Sequence, residues 1–460
     1  MTDRRFDVTG QRVVVVGGAR SGVAAASLLA RRGARVTLTD VRPAIDDEAG
    51  LRAQGIALEL GGHDPGTFGS ADLIVVSPGV KLDHPALEHA RTRGVPIIGE
   101  LELAWRWIRG RVIAITGTKG KSTTTTLTGR MLEAAGLPVL VGGNIGVPLS
   151  SQVDRSTPAT LHVVETSSFQ LETTDTFHPW IAALLNFSPD HLDQHPTIEA
   201  YAAAKRRIFA HQTASDWAVV NDDDDGARRL AEGIAARRVT FAIDRPIAEG
   251  VTVEGDRIVE RRGGSTVPLV PLAAVQVRGR HLLSDVVAAT AIGRTAGVSA
   301  DAMTQAVRGF TGIPHAMERL GSVDGIEFVN DSKATNVEAA RRAIESVARD
   351  LVVVMGGRYK GGDFASLAGP LRSRGASVVA IGEAAGLIAD ALGRDVRVER
   401  AQTMRDAVRT AFALAPPGGT VVLAPGCSSF DMFRDYAERG EAFRQEVQQL
   451  AAERRASREQ

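Results

Sequence analysis

The sequence contains a single cysteine, no excess of either charge and no long hydrophobic run. With Cys427 as the sole cysteine among 460 residues, no disulfide can form within the chain, and one free thiol fits a reducing compartment. Lysine plus arginine and aspartate plus glutamate each total 54, so the net charge of zero argues against non-specific binding to nucleic acid. The first residues lack the apolar core of a signal peptide, and no stretch is long enough to span a bilayer. These absences favour a cytoplasmic enzyme that neither enters a membrane nor binds nucleic acid.

The composition is otherwise that of an ordinary globular chain. Hydrophobic residues make up 44% and charged residues 23%, which leaves enough apolar material for several cores. Short apolar runs alternate with helical patterns along most of the chain, and this alternation predicts an α/β fold with parallel sheets. The chain divides into three segments. They predict a Rossmann-like domain over 1–99, a P-loop ATPase-type domain over 100–312 and a doubly wound domain over 313–460.

The most informative stretch is Val112–Thr123, with the sequence VIAITGTKGKST. An apolar strand runs into a glycine-punctuated turn and then into a helix that extends to about Ala135. The backbone N–H groups of such a turn and the helix dipole together form an anion site, although this loop is shorter than the common P-loop. Its lysine suits the β- and γ-phosphates, and its serine suits Mg²⁺. The residues predicted to bind phosphate are Gly117, Thr118, Lys119, Gly120, Lys121, Ser122 and Thr123.

The first segment opens with the pattern of a Rossmann-type βαβ unit. A strand at Val13–Val16 runs into the glycine-rich turn Gly17–Gly22, and a second strand ends at Asp40, where a carboxylate can bond a ribose hydroxyl. Ala19 replaces the middle glycine of the fingerprint, which disfavours the close approach of a pyrophosphate. Given the rest of the chain, a nucleotide or UDP-sugar site is favoured over a dinucleotide site. A later turn, Ser77–Gly79, follows another buried strand and is either part of a ligand site or a simple turn.

Three residues of the middle segment are candidates for chemistry. Glu165 follows a predicted strand beside the phosphate loop, where a second Mg²⁺ ligand belongs, although a helix-capping acid can occupy the same kind of position. His191 follows the next strand between Asp190 and Asp193, either of which can orient its ring, and it is either a functional or a structural histidine. Lys205 lies in a helical stretch, and its spacing alone predicts a solvated surface lysine.

Polar clusters follow three predicted strands of the last segment. They are Asn330–Asn336, Gly356–Phe364 and Pro425–Asp431. Because the carboxyl ends of parallel strands meet at one sheet edge, the three clusters predict a ligand face. Cys427 lies in the third cluster, and since no base is evident beside it we interpret it as a buried small residue.

Four segments resemble the Mur ligase family, and the resemblance covers nearly the whole length. They are TGTKGKST, ETSSFQLE, NFSPDHLDQH and YAAAKRRIF. A further segment, NDSKATN at 330–336, resembles the members that add glutamate, whereas relatives that add other groups carry histidine-containing sequences there. The segments GGRYKGGDF and APGCSSFDMF fit the same members. The resemblance implies three α/β domains, for a UDP-sugar, for ATP and for the incoming amino acid.

The activity that the resemblance implies is ATP-dependent amide-bond formation in peptidoglycan precursor synthesis. ATP would phosphorylate the alanyl carboxylate of UDP-N-acetylmuramoyl-L-alanine, and the amine of D-glutamate would attack the acyl phosphate. ATP and Mg²⁺ are the implied cofactors. The implied partners are these small molecules alone, and a monomer is expected.

The resemblance also implies roles for residues at matching positions. Those implied in catalysis are Lys121, Asn144, His191 and Lys205, and those implied as Mg²⁺ ligands are Ser122, Glu165, His191 and Lys205, with Lys205 carbamylated. Asp285 and Asp331 are implied to join residues 117–123 in binding ATP. The residues implied to contact the UDP-sugar are Ser21, Asp40, Arg42, Ser77, Gly79 and Asn144. Those implied to contact glutamate, whose two carboxylates suit lysines and hydroxyls, are Lys333, Thr335, Lys360, Ser429 and Tyr436.

Two positions depart from the family pattern. Ala316 follows His315 where an arginine that reaches the ATP phosphates is usual, so either Arg319 substitutes for it or nucleotide binding is weaker. Asp285 stands where an asparagine that meets adenine is usual, and a carboxylate cannot donate a hydrogen bond. We therefore expect an active ligase with altered ATP handling. Two alternatives stay open, which are the same chemistry on L-glutamate and a UDP-sugar- or nucleotide-binding protein with weakened catalysis.

Overall fold

The computed structural model describes residues 6–189, 195–277, 279–347, 350–359 and 361–459. The chain forms two compact units, Met1–Phe310 and Thr311–Gln460. Within the described residues the first unit contains two sheets and the second contains one, and each sheet falls within one of the three segments of the sequence. The α/β fold with parallel sheets is confirmed, while the bounds of the three domains stay a prediction.

The first sheet has five parallel strands. They are β1 (Arg12–Val16), β2 (Arg35–Asp40), β3 (Ala57–Leu60), β4 (Leu73–Val76) and β5 (Ile97–Gly99). The helices of this part are α1 (Arg20–Arg31), α2 (Glu48–Ala53), α3 (Pro65–Gly69), α4 (Pro85–Thr92) and α5 (Glu100–Trp105). The strand order is β3-β2-β1-β4-β5. Because the order reverses between β1 and β4, the carboxyl ends of these two strands flank the crevice where ligands bind in such sheets.

The second sheet has nine strands. They are β6 (Arg111–Thr116), β7 (Val139–Gly143), β8 (Leu161–Glu165), β9 (Ile181–Leu184), β10 (Trp217–Asn221), β11 (Arg237–Phe241), β12 (Gly250–Glu254), β13 (Arg257–Arg262) and β14 (Ser265–Pro271). The helices are α6 (Lys121–Ala134), α7 (Ser168–Glu172), α8 (Ile198–Arg206), α9 (Asp225–Leu230), α10 (Arg280–Thr295) and α11 (Ala300–Arg308). The order is β14-β13-β12-β11-β10-β9-β6-β8-β7, so the phosphate loop follows an interior strand.

The third sheet has six strands. They are β15 (Glu318–Val323), β16 (Ile326–Asn330), β17 (Leu351–Gly356), β18 (Ser377–Ile381), β19 (Val398–Arg400) and β20 (Thr420–Leu423). The helices are α12 (Val337–Ser346), α13 (Ala368–Arg372), α14 (Ala385–Leu392), α15 (Met404–Leu414) and α16 (Tyr436–Glu459). The order is β15-β16-β20-β17-β18-β19, and only β15 runs antiparallel to its neighbour among the described pairs. The three strands that precede the predicted polar clusters are therefore adjacent.

The edge strands β3, β5, β15 and β19 escape prediction from sequence patterning, and so does the interior strand β11. An edge strand is paired on one side only and carries fewer buried residues, so its apolar pattern is short or broken; β15, for example, has a single buried residue. Among the helices of the described ranges, none is both long enough and apolar enough to cross a membrane.

Candidate functional site

The phosphate loop has the strand–turn–helix geometry that its sequence predicts. β6 is buried after its first residue, the turn passes through Gly120 with a φ of 80°, and α6 begins at Lys121. The Nζ atom of Lys121 donates hydrogen bonds of 3.0 Å to the carbonyl oxygens of Gly117 and Thr118. A lysine ammonium beside a turn that opens a helix is suited to binding phosphate.

The segment after β9 fixes this loop. The backbone N–H of Lys119 donates to the Asn186 side chain at 2.8 Å, and the backbone N–H of Thr118 donates to the Asn186 carbonyl oxygen at 3.1 Å. The Thr118 hydroxyl also donates to the Ser188 carbonyl oxygen at 3.1 Å. Because these bonds order the loop in advance, less conformational entropy is lost when it binds a phosphate.

Glu165 carries a buried carboxylate oxygen that lacks a hydrogen-bond partner among the described residues. The residue ends β8, beside Ile115 of β6, and is 3% exposed. Its Oε1 atom accepts a 2.8 Å hydrogen bond from the side-chain amide of Asn144, which leaves Oε2 without a partner. A buried unpaired carboxylate oxygen is costly, and a hard cation such as Mg²⁺ would satisfy it. The free oxygen of Glu165 therefore fits a magnesium ion.

The alternative in which Glu165 caps a helix is wrong. The next helix, α7, has Ser167 as its N-terminal cap, and the side chain of Ser167 accepts a hydrogen bond from the backbone N–H of Gln170. The Gln170 side chain accepts in return from the backbone N–H of Ser167, so the capping position is filled by a reciprocal pair.

Lys205 is buried, so the prediction of a solvated lysine from spacing alone is wrong. The residue is 1% exposed, and its Nζ atom donates a 2.8 Å hydrogen bond to the Gly117 carbonyl oxygen of the phosphate loop. Its ammonium group also lies 4.8 Å from the centroid of the Tyr201 ring. The helix α8 packs the face that carries Lys205 against the phosphate loop. The amphipathic pattern of the helix does not reveal this contact. His191, Asp190 and Asp193 lie outside the described residues.

Asp285 is a buried acid that lies against the phosphate loop. A Cβ atom on Gly120 would lie 2.0 Å from Asp285 Oδ1, so only glycine fits opposite this carboxyl group. Burial raises the pKa of Asp285 well above its ordinary value, although a hydrogen bond with Thr123 acts in the opposite direction. The carboxyl group is therefore biased toward its neutral form, in which it can donate a hydrogen bond as an asparagine would.

Replacing Asp285 with asparagine should stabilise the protein, and the gain should increase with pH. Because burial raises the folded-state pKa, ionisation of Asp285 costs stability at every pH above its ordinary pKa of 3.8, and asparagine removes that cost. We expect the melting temperature to rise by roughly a few degrees at about pH 8 and to change little at about pH 4. Asp301→Asn, at an exposed position of α11, is the control. An equal gain at both pH values, or a loss at the higher one, would contradict this reasoning.

The carboxylate of Asp40 is engaged by donors from the protein. Its Oδ2 atom accepts from the backbone N–H of Gly18 at 2.6 Å and from the Arg42 guanidinium at 2.8 Å, and its Oδ1 atom accepts two further bonds of 2.9 Å from Arg42. Burial raises the pKa of Asp40, but these hydrogen bonds outweigh it and lower the pKa to about 2. The carboxylate thus orients Arg42, whose side chain is half exposed. A direct contact between Asp40 and a ribose stays a prediction.

The turns after β1 and β4 contact each other. The Ser77 hydroxyl donates a 2.9 Å hydrogen bond to the Gly17 carbonyl oxygen. A Cβ atom on Gly22 would lie 1.7 Å from that same oxygen, so the close approach of α1 to the turn requires glycine. Ser21 lies in the first turn of α1, beside this contact.

A cavity of about 490 Å³ lies in the first unit beyond the end of β4. Ser77 and Gly79 line it together with Glu100, Phe169 and His195. Among the described residues that line the cavity, the predicted UDP-sugar contacts Ser21, Asp40, Arg42 and Asn144 are absent. The Ser77–Gly79 turn therefore borders a cavity, and its part in a ligand site stays a prediction.

Sequence reasoning missed His195. It is 2% exposed, its Nε2 atom lies 2.9 Å from the Ser168 hydroxyl, and its ring stacks on Phe169 with an interplanar angle of 3°. Its only signal in the sequence is its place at the end of the NFSPDHLDQH segment.

The second unit brings the three predicted polar clusters to one sheet edge. The first follows β16 and carries Lys333 and Thr335; the third follows β20 and carries Ser429, which is 2% exposed. Tyr436 begins α16, and its backbone carbonyl accepts a 2.7 Å hydrogen bond from Ser332 of the first cluster. Lys360, in the second cluster, lies outside the described residues.

Cys427 is buried, as its interpretation requires, and burial raises the pKa of its thiol to about 11.

The segment around Ala316 wraps the start of the first cluster. His315 and Met317 have φ angles of 62° and 47°, and the His315 carbonyl oxygen accepts from the backbone N–H of Lys333 at 2.9 Å. Burial raises the pKa of Asp331 to about 6, against the lowering effects of the Met317 N–H and of Lys333. Arg319 forms a surface ion pair with Glu327 at 3.3 Å, and its role as a substitute for the missing arginine stays a prediction.

These features define a nucleotide-binding α/β protein with a phosphate loop on the second of three sheets. Models of the Mur ligase domains match each part: the MurD-like N-terminal domain at residues 11–99, the middle domain at 115–293 and the glutamate ligase domain at 317–427. The chain belongs to the Mur ligase family.

Named relatives match the chain over nearly its whole length. The UDP-N-acetylmuramoylalanine--D-glutamate ligase of Acidobacterium capsulatum is 46% identical over 444 residues, which cover 95% of this chain and 96% of that protein. The ligase of the same name from Solibacter usitatus is 44% identical, with 96% and 98% covered. Among solved structures, the UDP-N-acetylmuramate-alanine ligase MurC of Thermotoga maritima matches with a TM-score of 0.55 at 19% identity, with 95% and 99% covered. That structural likeness shows the shared fold.

Proposed function

We propose that the protein is an ATP-dependent ligase that joins D-glutamate to UDP-N-acetylmuramoyl-L-alanine in peptidoglycan precursor synthesis. The observation that carries the proposal is the unpartnered Glu165 oxygen beside an intact phosphate loop, in a chain 46% identical to a protein named for this reaction. The enzyme acts on small molecules in the cytoplasm as a monomer, with domains at 1–99, 100–312 and 313–460.

The reaction proceeds in two chemical steps. The γ-phosphoryl group of ATP is transferred to an oxygen of the alanyl carboxylate, which yields an acyl phosphate and ADP. The neutral amine of D-glutamate attacks the acyl carbon and gives up one proton, and inorganic phosphate leaves with that carboxylate oxygen. Lys121 and the N–H groups of residues 117–123 stabilise the charge on the transferred phosphoryl group. Asn144, oriented by Glu165, binds the reacting carboxylate.

The residues that would hold Mg²⁺ are Ser122, Glu165, His191 and carbamylated Lys205. The bound ion would neutralise phosphate charge and polarise the transferred group. Lys205 joins this set when its neutral amine takes up CO₂, because the resulting carbamate offers oxygen, the ligand atom that Mg²⁺ prefers. Burial of Lys205 against the Gly117 carbonyl supports this, since water is excluded from its amine.

The two remaining substrates bind outside the phosphate loop. The UDP-sugar contacts Ser21, Arg42, Ser77, Gly79 and Asn144, and Asp40 acts on it through Arg42. The carboxylates of D-glutamate bind Lys333, Thr335, Lys360, Ser429 and Tyr436. Asp331 contacts the ATP ribose, and Asp285 lies at the phosphate loop where it affects nucleotide binding.

The proposal is tested by phosphate release from ATP with Mg²⁺ and UDP-N-acetylmuramoyl-L-alanine, comparing D-glutamate, L-glutamate and no amino acid. We expect release that depends on D-glutamate. Release that depends on L-glutamate would keep the chemistry and overturn the specificity. If none of the three reactions releases phosphate while calorimetry still detects binding of the UDP-sugar, the protein binds UDP-sugars without ligase activity.

A further inference from the structure

Arg439 is a buried cation on α16. The residue is 2% exposed, and among the described residues no carboxylate lies within ion-pair distance of it, although the charge of Asp431 is near enough to raise its pKa. Its guanidinium instead donates to neutral acceptors: Nε to the Ser332 hydroxyl at 3.0 Å, one terminal nitrogen to the Ser332 carbonyl at 2.9 Å, and the other to the carbonyls of Cys427 at 3.0 Å and Gly356 at 3.4 Å. Arginine has five N–H donors in a rigid fork, and most of them are used here.

The acceptors lie at the carboxyl end of β17 and in the loops that follow β16 and β20. Ser332 lies in the first loop next to Lys333, Gly356 ends β17, and Cys427 lies in the third loop two residues before Ser429. One guanidinium therefore connects all three polar clusters at this sheet edge.

Backbone hydrogen bonds join the same loops in pairs. The N–H of Gly426 donates to the Ala334 carbonyl at 2.9 Å, which joins the third loop to the first. Arg358 and Ser428 exchange two backbone bonds of 2.9 and 3.1 Å, which join the second loop to the third. Arg439 lies at the centre of these contacts, and its side chain adds bonds to all three loops.

A buried arginine without a direct ion pair is a costly way to fill space. Burial lowers the pKa of Arg439 to about 10, which reflects the penalty of removing its charge from water. Where packing alone matters, an apolar side chain of similar volume often serves as well or better. A buried cation bound to the carbonyls of three loops fixes their relative positions, which an apolar residue cannot do.

We propose that Arg439 is a positioning residue for the amino-acid site, which sets the three loops so that Lys333, Thr335 and Ser429 converge on the carboxylates of glutamate. The inference rests on the proposed function. It adds a residue that does not touch substrate and acts through Ser332, Gly356 and Cys427.

The test compares Arg439→Gln and Arg439→Lys with the unaltered protein in steady-state kinetics. We expect the glutamine variant to raise the KM for D-glutamate at least about tenfold, and the lysine variant, which keeps a charge and three donors, to recover part of that loss. The KM for UDP-N-acetylmuramoyl-L-alanine should stay within about twofold, because the residues proposed to bind it lie in the first unit.

Arg454→Gln is the matched control, because Arg454 lies on the same helix and pairs with Asp324 at the opposite end of β16. It should leave the KM for D-glutamate unchanged. If the glutamine variant does not fold, hydrogen exchange in the lysine variant decides the question: faster exchange at the amides of Arg358, Gly426 and Ser428 is expected, and unchanged exchange would overturn the inference.

The outcomes separate this inference from the function on which it rests. D-glutamate-dependent turnover in the unaltered protein together with an unchanged KM in Arg439→Gln would overturn the inference alone. A fall in kcat that matches the loss of folded protein, with every KM preserved, would likewise reduce Arg439 to a structural role. The absence of D-glutamate-dependent turnover in the unaltered protein would overturn the proposed function and this inference together.

Discussion

Replacing Glu165 with glutamine should lower kcat for phosphate release by at least about a hundredfold, which corresponds to a loss of about 2.7 kcal/mol of transition-state stabilisation. Glutamine keeps the shape of the side chain and an oxygen that can accept from Asn144, so the 2.8 Å hydrogen bond can persist. The substitution removes the charge and replaces the unpartnered Oε2 with an amide nitrogen, which cannot bind a cation. The expected defect is therefore in the reaction and in the response to Mg²⁺.

The measurement is the rate of phosphate release at several Mg²⁺ concentrations, with the melting temperature recorded in parallel. Glu133→Gln, at an exposed position near the end of α6, is the matched control and should behave as the unaltered protein. A Glu165→Gln variant that retained its kcat at low Mg²⁺ would exclude Glu165 as a metal ligand.

Replacing Lys205 with arginine should also reduce turnover by at least about a hundredfold. Arginine keeps a positive charge and donors for the Gly117 carbonyl, but it has no primary amine that can add CO₂. If the loop needed only a cation at this position, arginine would serve. A large loss of turnover in a folded variant therefore indicates that a carbamate is required.

A second readout detects the modification itself. Incubation of the unaltered protein with ¹³C-labelled bicarbonate should produce a carbamate carbonyl resonance that is absent from Lys205→Arg. Arg206→Lys serves as the control, since Arg206 is the exposed neighbour on the same helix and bonds the carbonyls of Leu230 and Glu232. Full activity in Lys205→Arg, or a resonance that persists in it, would rule out carbamylation of Lys205.

The phosphate loop could be predicted from the sequence because its signals are contiguous. The strand, the glycines, Lys121 and the start of α6 all fall within Val112–Thr123, and each element is dictated by its own residues. The clusters of the last segment were predictable for a related reason, since strand ends are local features and parallel strands bring them to one edge.

Buried charged side chains could not be predicted in the same way. The acceptor of Lys205 is Gly117, and three strands of the sheet lie between these two residues in the sequence. The acceptors of Arg439 come from the ends of three separate strands. A helical pattern such as that of α16 shows charged residues at 10 of its 24 positions, and nothing local marks the one that is turned inward. The identity of the acceptors depends on tertiary contacts, which spacing does not report.

The most direct test of the account is to follow an oxygen atom of the substrate carboxylate. UDP-N-acetylmuramoyl-L-alanine labelled with ¹⁸O in its alanyl carboxylate is incubated with the protein, ATP, Mg²⁺ and D-glutamate, and the released phosphate is analysed by mass spectrometry. An acyl-phosphate intermediate predicts a single labelled oxygen in each phosphate, because the oxygen that receives the phosphoryl group leaves with it. Release of unlabelled phosphate would contradict the acyl-phosphate route and, with it, the proposed ligase.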